Sequence, residues 1–212
     1  MGLKMIRNKT KTEIQLKTKK VSLRYLDEFI KLKCASNLIQ ANLFPNAKEI
    51  TESMGAYNTV RKYLWERFHP GDSNVICIVV GDGHTPKTGA LFAYRTRWTI
   101  LSIDPVMYRA KLDMGQGLYA PAGIERLTVV RDKIQSRYLG IPLETKKILF
   151  ICIHSHAKLS DCIKQVKGAK ACLVNIPCCI PSDLSSLPDI SYEDWGIHSE
   201  KRKIEIYKDQ IW

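Results

Sequence analysis

Six consecutive apolar residues, Val75-Ile76-Cys77-Ile78-Val79-Val80, constrain this chain more than any other feature. A run so short, so rich in β-branched side chains and without a polar face must be covered on both sides, as a central strand of a parallel sheet is. Comparable runs follow at Thr99–Ile103, 126–131, Lys147–Ile153 and Ala171–Ile176. Between the first two, residues 88–95 read as a helix. Between the last two, 158–166 place Leu159, Cys162, Ile163 and Val166 on one helical face. Strands alternating with helices predict an α/β domain with a mostly parallel sheet and right-handed crossovers.

The ends of the chain have other periods. Apolar positions at three- and four-residue steps predict one helix over 23–44, stopped by Pro45, and a second over 47–68. At the other end, 194–198 and 203–207 alternate in period two around a polar stretch, which predicts a closing antiparallel hairpin. With no repeat and no linker visible, the organisation expected is a basic arm over 1–22 and one domain over 23–212, with a helical lead at 23–69 and a sheet core at 74–212. The longest apolar runs fall far short of the roughly 20 residues of a membrane span, so no membrane association is expected. Seven cysteines, an odd number with Cys77, Cys152 and Cys172 inside strand-like runs, read as reduced thiols in a cytoplasmic protein.

Charge adds a partner class. The 212 residues carry 33 Lys and Arg against 21 Asp and Glu, a formal net charge of +12. Residues 1–24 alone hold eight basic side chains and one acid, Glu13. Such an arm suits contact with phosphates, through Lys17, Lys19 and Lys20 among others, and Arg95-Thr96-Arg97-Trp98 offers two more cations beside an aromatic ring that could stack on a base. A nucleic acid is the partner this balance favours, with a protein partner or a second copy of the chain left open.

The most specific segment is Gly81-Asp82-Gly83, which ends the first strand where open α/β sheets bind ligands. Glycines there allow positive φ and close approach to the backbone. Asp104 ends the second strand at the distance where a carboxylate can take a ribose diol. Pro86 stands where a dinucleotide fingerprint has its third glycine, and no phosphate-binding G-x-x-x-x-G-K-[ST] loop occurs, so a nucleoside ligand without a pyrophosphate is indicated.

In this order of elements the chain resembles the class I S-adenosylmethionine-dependent methyltransferases. The matching parts, over about residues 70–212, are Gly81-Asp82-Gly83, Asp104, Asp132 after the third strand, His154-Ser155-His156-Ala157 after the fourth, and the closing hairpin. The loop departs from the family's pattern in that Val79 holds the acid position and the acid, Asp82, lies between the glycines. The resemblance implies a Rossmann-like methyltransferase fold and S-adenosylmethionine as cofactor. Its site would draw on Gly81, Asp82, Gly83, Asp104 and Asp132, with the acceptor near His154, His156, Asn175 and Pro177.

For the chemistry, both histidines of 154–156 can face one cleft from an extended segment. Cys178 and Cys179, between Pro177 and Pro181, read either as structural thiols or, for one of the two and Cys178 in particular, as a nucleophile of the kind cytosine C5 methyltransferases use. Adjacent cysteines lack the spacing of ordinary zinc sites, so no metal is expected, although His154, His156, Cys178 and Cys179 are the right residue types. The expected function is methyl transfer to a nucleic acid, RNA in particular. A non-catalytic binding subunit and an enzyme that cleaves the cofactor are the alternatives.

Overall fold

The computed structural model describes residues 21–108, 112–113, 118–120, 124–136, 147–166, 169–179 and 181–211. The lysines at 17, 19 and 20, with most of the basic arm, lie outside these residues, as does Ile180 of the Pro177–Pro181 loop.

Strand β1 (Val75–Val80) is where its apolar run places it, and β2 (Thr99–Ile103) follows after helix α4 (Lys87–Arg95). The helices before them are α1 (Arg24–Ile30), α2 (Ala35–Gln40) and α3 (Ala47–Tyr63). Beyond β2 come β3 (Leu112–Asp113), β4 (Leu118–Ala120), β5 (Leu127–Val130), β6 (Lys147–Ile153), α5 (Leu159–Lys164), β7 (Ala171–Ile176), β8 (Ile190–Glu193) and β9 (Lys203–Gln210). They form one sheet in the order β3-β4-β5-β2-β1-β6-β7-β9-β8. The five central strands from β5 to β7 run parallel, and the pairs at both margins are antiparallel. This is a Rossmann-like α/β fold with a C-terminal antiparallel hairpin, as the strand pattern predicts.

Period-two alternation divides each central strand between two cores. Cys77 and Val79 of β1, with Leu149 and Ile151 of β6, face the side packed by α1 to α4, including Phe29, Leu38, Met54 and Phe92. Ile78, Val80, Phe150 and Cys152 face the other side, where α5 contributes Leu159, Cys162 and Ile163. Five of the seven cysteines are buried and none is bridged. No helix among the described residues is long and apolar enough to cross a membrane.

Three expectations are corrected. The single helix over 23–44 is two, because the chain turns tightly after Ile30: Leu32 N–H bonds to Phe29 O and Ala35 N–H to Leu32 O, both at 3.0 Å. The bend lets Phe29, Cys34, Ala35 and Leu38 all reach the core, which one straight helix would splay apart. The helix expected over 47–68 ends at Tyr63, since Leu64 departs from helical geometry at φ −129°. It starts as the sequence suggests, with the Asn46 side chain accepting the Glu49 N–H at 3.0 Å.

In the tail, the first strand of the hairpin is β8 and not 194–198. The latter segment is a loop organised around Asp194, which is 3% exposed. Its carboxylate takes the Gly196 N–H at 2.9 Å, the Tyr25 hydroxyl at 2.5 Å and the Arg24 guanidinium, tying the end of the chain to α1.

Candidate functional site

Strand order reverses between β1 and β6: from β1 the chain builds outward through β2 and β5, then returns to β6 and β7 on the other side. Loops leaving β1 and β6 therefore diverge and leave a crevice at the carboxyl edge of the sheet. A cleft of about 430 Å³ occupies it, lined by Val80 and Gly81 at the end of β1, 103–106 at the end of β2, 132–135 after β5 and 154–157 after β6.

Both glycines of the first loop are left-handed, Gly81 at φ +83° and Gly83 at φ +79°. A Cβ on Gly81 would lie 2.8 Å from Cα of Ser155, so the close approach it permits is to the chain's own β6 loop. Asp82 departs from the role expected of it. It is 1% exposed, and its carboxylate accepts the Thr88 and Gly89 N–H groups at 2.9 Å and the Ser102 hydroxyl at 2.8 Å. The carboxylate holds the loop onto the start of α4, where the N-terminal dipole favours an anion, and does not line the main cleft.

Asp104 stands at the expected place. Its Oδ2 accepts the Gly83 N–H and its Oδ1 the Val106 N–H, both at 2.9 Å, which orients the carboxylate and leaves each oxygen a lone pair for a ligand hydroxyl. Asp132 follows the neighbouring strand β5, among the 132–135 residues of the cleft wall, with Oδ1 accepting the Lys133 N–H at 2.7 Å.

Beside the main cleft, and sharing Gly81 and His154 with it, is a smaller chamber of about 160 Å³ reaching to Gly83. Its walls bring together Lys48, Glu49 and Glu52 from α3 with Lys87 from α4. Lys87 Nζ pairs with Glu49 Oε2 at 3.1 Å and donates to the Asp82 carbonyl, while Lys48 Nζ is 3.4 Å from Glu52 Oε1.

Glu52, 1% exposed, meets His154 Nε2 at 2.7 Å. Burial alone would raise this carboxyl, but the hydrogen bond and charge of His154, helped by Lys48, outweigh it and hold the group below its ordinary value. With Glu52 ionised, the shared proton lies on Nε2, which leaves Nδ1 as the ring nitrogen turned away from the pair. Nδ1 is buried without a hydrogen-bond partner. His154 has φ +47°, a turn that swings its ring from the end of β6 toward α3.

The other expected residues fall into separate groups. His156 lines the outer part of the cleft, with Nε2 3.5 Å from Cys179 Sγ. Cys178 is half-buried beside it; desolvation and the contact with Cys179 push its thiol up, away from the thiolate a nucleophile needs. Asn175 is buried and donates to Glu205 Oε2 at 3.1 Å, joining β7 to β9.

Arg95 and Arg97 precede β2, at the edge of the sheet opposite the cleft, about 16 Å away along a five-residue strand. Trp98, expected to stack on a base, is fully buried: it stacks on Phe92 with centroids 5.8 Å apart and donates to the His69 carbonyl at 2.8 Å. Sequence reasoning missed Lys48, Glu52 and Lys87. The available signal was in α3, where the small residues Ser53, Gly55 and Ala56 mark a helix packed on more than one side, so that an acid off its main apolar face is still enclosed.

No protein-family profile and no curated protein matches the chain. Among solved structures, it is similar to a crystal structure of a glutamate-to-glutamine mutant of MtNAS, at 11% identity and a TM-score of 0.45 over 89% of this chain and 70% of that one. The same mutant in complex with S-adenosylmethionine gives 11% identity and a TM-score of 0.46 over 88% and 71%. A likeness at this level concerns the course of the backbone and carries no conclusion about ligand or reaction.

Proposed function

We propose that the chain binds S-adenosylmethionine and transfers its methyl group to an acceptor. What carries this reading is the joining of two unlike chambers at Gly81 and His154, one flanked by Asp104 and Asp132, the other by two lysines and two glutamates. The larger one suits a nucleoside: Ile103, Val106 and Ile134 supply apolar walls for a base, and Asp104 has oriented oxygens for a ribose diol. The smaller one suits an α-amino acid, whose carboxylate would meet Lys48 or Lys87 and whose ammonium would meet Glu49. Gly81 lines both, and Gly83 lines the smaller one. The orphaned Nδ1 of His154 fits the same arrangement as an acceptor awaiting a donor.

When bound, the cofactor supplies an electrophilic methyl group. This chain's residues position the reactants, which provides much of the rate in such a displacement. Glu52 holds the His154 ring and its tautomer, and Nδ1 takes a proton from the acceptor as its nucleophile attacks. His156, on the outer wall, orients the acceptor, with Cys178 beside it.

The acceptor proposed is a nucleic acid, RNA in particular, on the strength of the +12 charge and the basic arm. A small-molecule acceptor is the second reading, favoured by the burial of Trp98 and the placement of Arg95 and Arg97 at the far edge of the sheet. Calorimetric titration with S-adenosylmethionine and S-adenosylhomocysteine, with NAD and ATP as controls, tests the cofactor. Binding of the adenosyl pair alone is expected, and no binding of either overturns the reading. Methyl transfer to an RNA pool, lost with rising salt, separates the two acceptors.

A further inference from the structure

At the outer rim of the cleft, His156, Cys178 and Cys179 bring one imidazole nitrogen and two sulfurs within 4.8 Å of one another. Their meeting follows from strand register. β6 and β7 pair in parallel with Ile153 opposite Ile176, an offset that also sets residue 156 beside residue 179 once both strands have ended. The His154 N–H, bonded to the Ile176 carbonyl at 2.9 Å, carries this register into the loops.

We infer that His156, Cys178 and Cys179 form a binding site for a thiophilic metal ion, of the zinc or copper(I) class, at the outer rim of the cleft. Donors on one tetrahedral ion, with metal–sulfur bonds near 2.3 Å and metal–nitrogen bonds near 2.0 Å, stand about 3.5 to 3.8 Å apart. The Cys179 Sγ to His156 Nε2 distance of 3.5 Å already meets that requirement, and the 4.8 Å limit on the set asks only for small side-chain rotations. Two sulfurs and one imidazole select soft or borderline ions over magnesium or calcium, which prefer oxygen. His154, the other histidine of the segment, is not a member, because its Nε2 is held by Glu52.

Each thiol releases its proton to solvent as its sulfur–metal bond forms, so binding needs no oxidant and changes no oxidation state. Among the described residues the group has three donors, which leaves a fourth position for water or for a donor atom of a ligand. Because His156 also lines the main cleft, that position is at the cleft's entrance. The remaining cysteines among the described residues are buried in the core and cannot compete for an added ion.

The test uses reduced, metal-free full-length protein titrated with Zn²⁺ against a chromophoric chelator, with Co²⁺ as a spectroscopic probe and copper(I) as a second arm. One equivalent of Zn²⁺ or copper(I), and a thiolate-to-cobalt charge-transfer band in the near ultraviolet, are expected. The double variant Cys178→Ser/Cys179→Ser should lose the band and at least 100-fold in affinity, and His156→Ala at least 10-fold. These side chains are exposed or half-exposed, so circular dichroism should show both variants folded. Absence of stoichiometric binding, equal binding of Mg²⁺, or unchanged affinity in the double variant would overturn the assignment. None of these readouts depends on S-adenosylmethionine, so the metal site and the methyltransferase reading stand or fall separately.

Discussion

Glu52 on α3 and His154 after β6, 102 residues apart in sequence, meet at 2.7 Å inside the protein. Their pairing joins the N-terminal helical layer to the loop that closes the central cleft. If His154 Nδ1 is the proton acceptor, Glu52→Gln and His154→Gln should each lower kcat for methyl transfer by about 100-fold or more, with cofactor Kd changed only a few-fold. Steady-state kinetics together with calorimetry on the same variants would check this; an unchanged kcat in either would remove the pair from the chemistry.

The same pair predicts an acid limit to stability. Glu52 is held below its ordinary value of 4.5, so its contribution is fully present above that pH and is lost as pH falls through the lower folded-state value. Urea denaturation from pH 7 down to pH 3 should show stability falling in the acid range, less steeply in Glu52→Gln. Asp72 beside Lys147 and Asp209 beside Arg67 shift in the same direction on the surface and supply part of the remaining slope. Identical slopes in wild type and variant would contradict this account.

Asp104 has two tasks, orienting the Gly83 and Val106 N–H groups and facing the cleft. Replacement by alanine should weaken adenosyl binding by about 1.5 to 3 kcal/mol, the range for charge-assisted hydrogen bonds. Calorimetry on the folded variant measures it, with thermal unfolding to confirm the fold. Wild-type affinity in folded Asp104→Ala would exclude the ribose contact.

Asp194 is the stability counterpart. Buried, and accepting from Arg24, Tyr25 and Gly196, it locks α1 to the segment between β8 and β9. Burial, and then the hydrogen bond to Asp194, push the Tyr25 phenol up. Asp194→Ala leaves a buried hydroxyl and an N–H without their acceptor and should cost about 2 to 4 kcal/mol in chemical denaturation. A loss below about 0.5 kcal/mol would mean the lock is not structural.

Thiol reactivity gives a direct check on the core. Cys34, Cys77, Cys152, Cys162 and Cys172 are buried, while Cys178 and Cys179 reach solvent. Desolvation pushes Cys77 well above the ordinary thiol range, and at Cys162 the hydrogen bond with Cys152, with desolvation adding to it, does the same. A disulfide-exchange reagent should therefore modify Cys178 and Cys179 in the native, metal-free protein, and all seven cysteines only in denaturant. Rapid modification of Cys77 under native conditions would place β1 at an exposed position.

Strands β1, β2, β6 and β7 are legible in the sequence to the residue, because each is an apolar run bounded by turn or polar residues, and local periodicity reports burial directly. Strand β5 is legible to within a residue at its ends. From strand order follow the position of the cleft and the presence there of Gly81, Asp104, Asp132, His154 and His156. Strands β3 and β4, of two and three residues, are too short to leave a period.

What the sequence by itself determined is the alternation of buried strands and helices, and with it the edge of the sheet where a ligand site can form. Tertiary structure decided which side chains are available at that edge. Asp82 and Asp104 look alike as acids near glycines, yet one is enclosed by α4 backbone N–H groups and the other faces the cleft. Glu52 looks like an ordinary helical acid until His154 is brought against it, and Trp98 like an exposed aromatic until Phe68 and Phe92 enclose it. The reason is physical: periodicity records whether a residue is buried, a property of its own segment, whereas charge pairing and orientation depend on atoms contributed by segments far away in the chain.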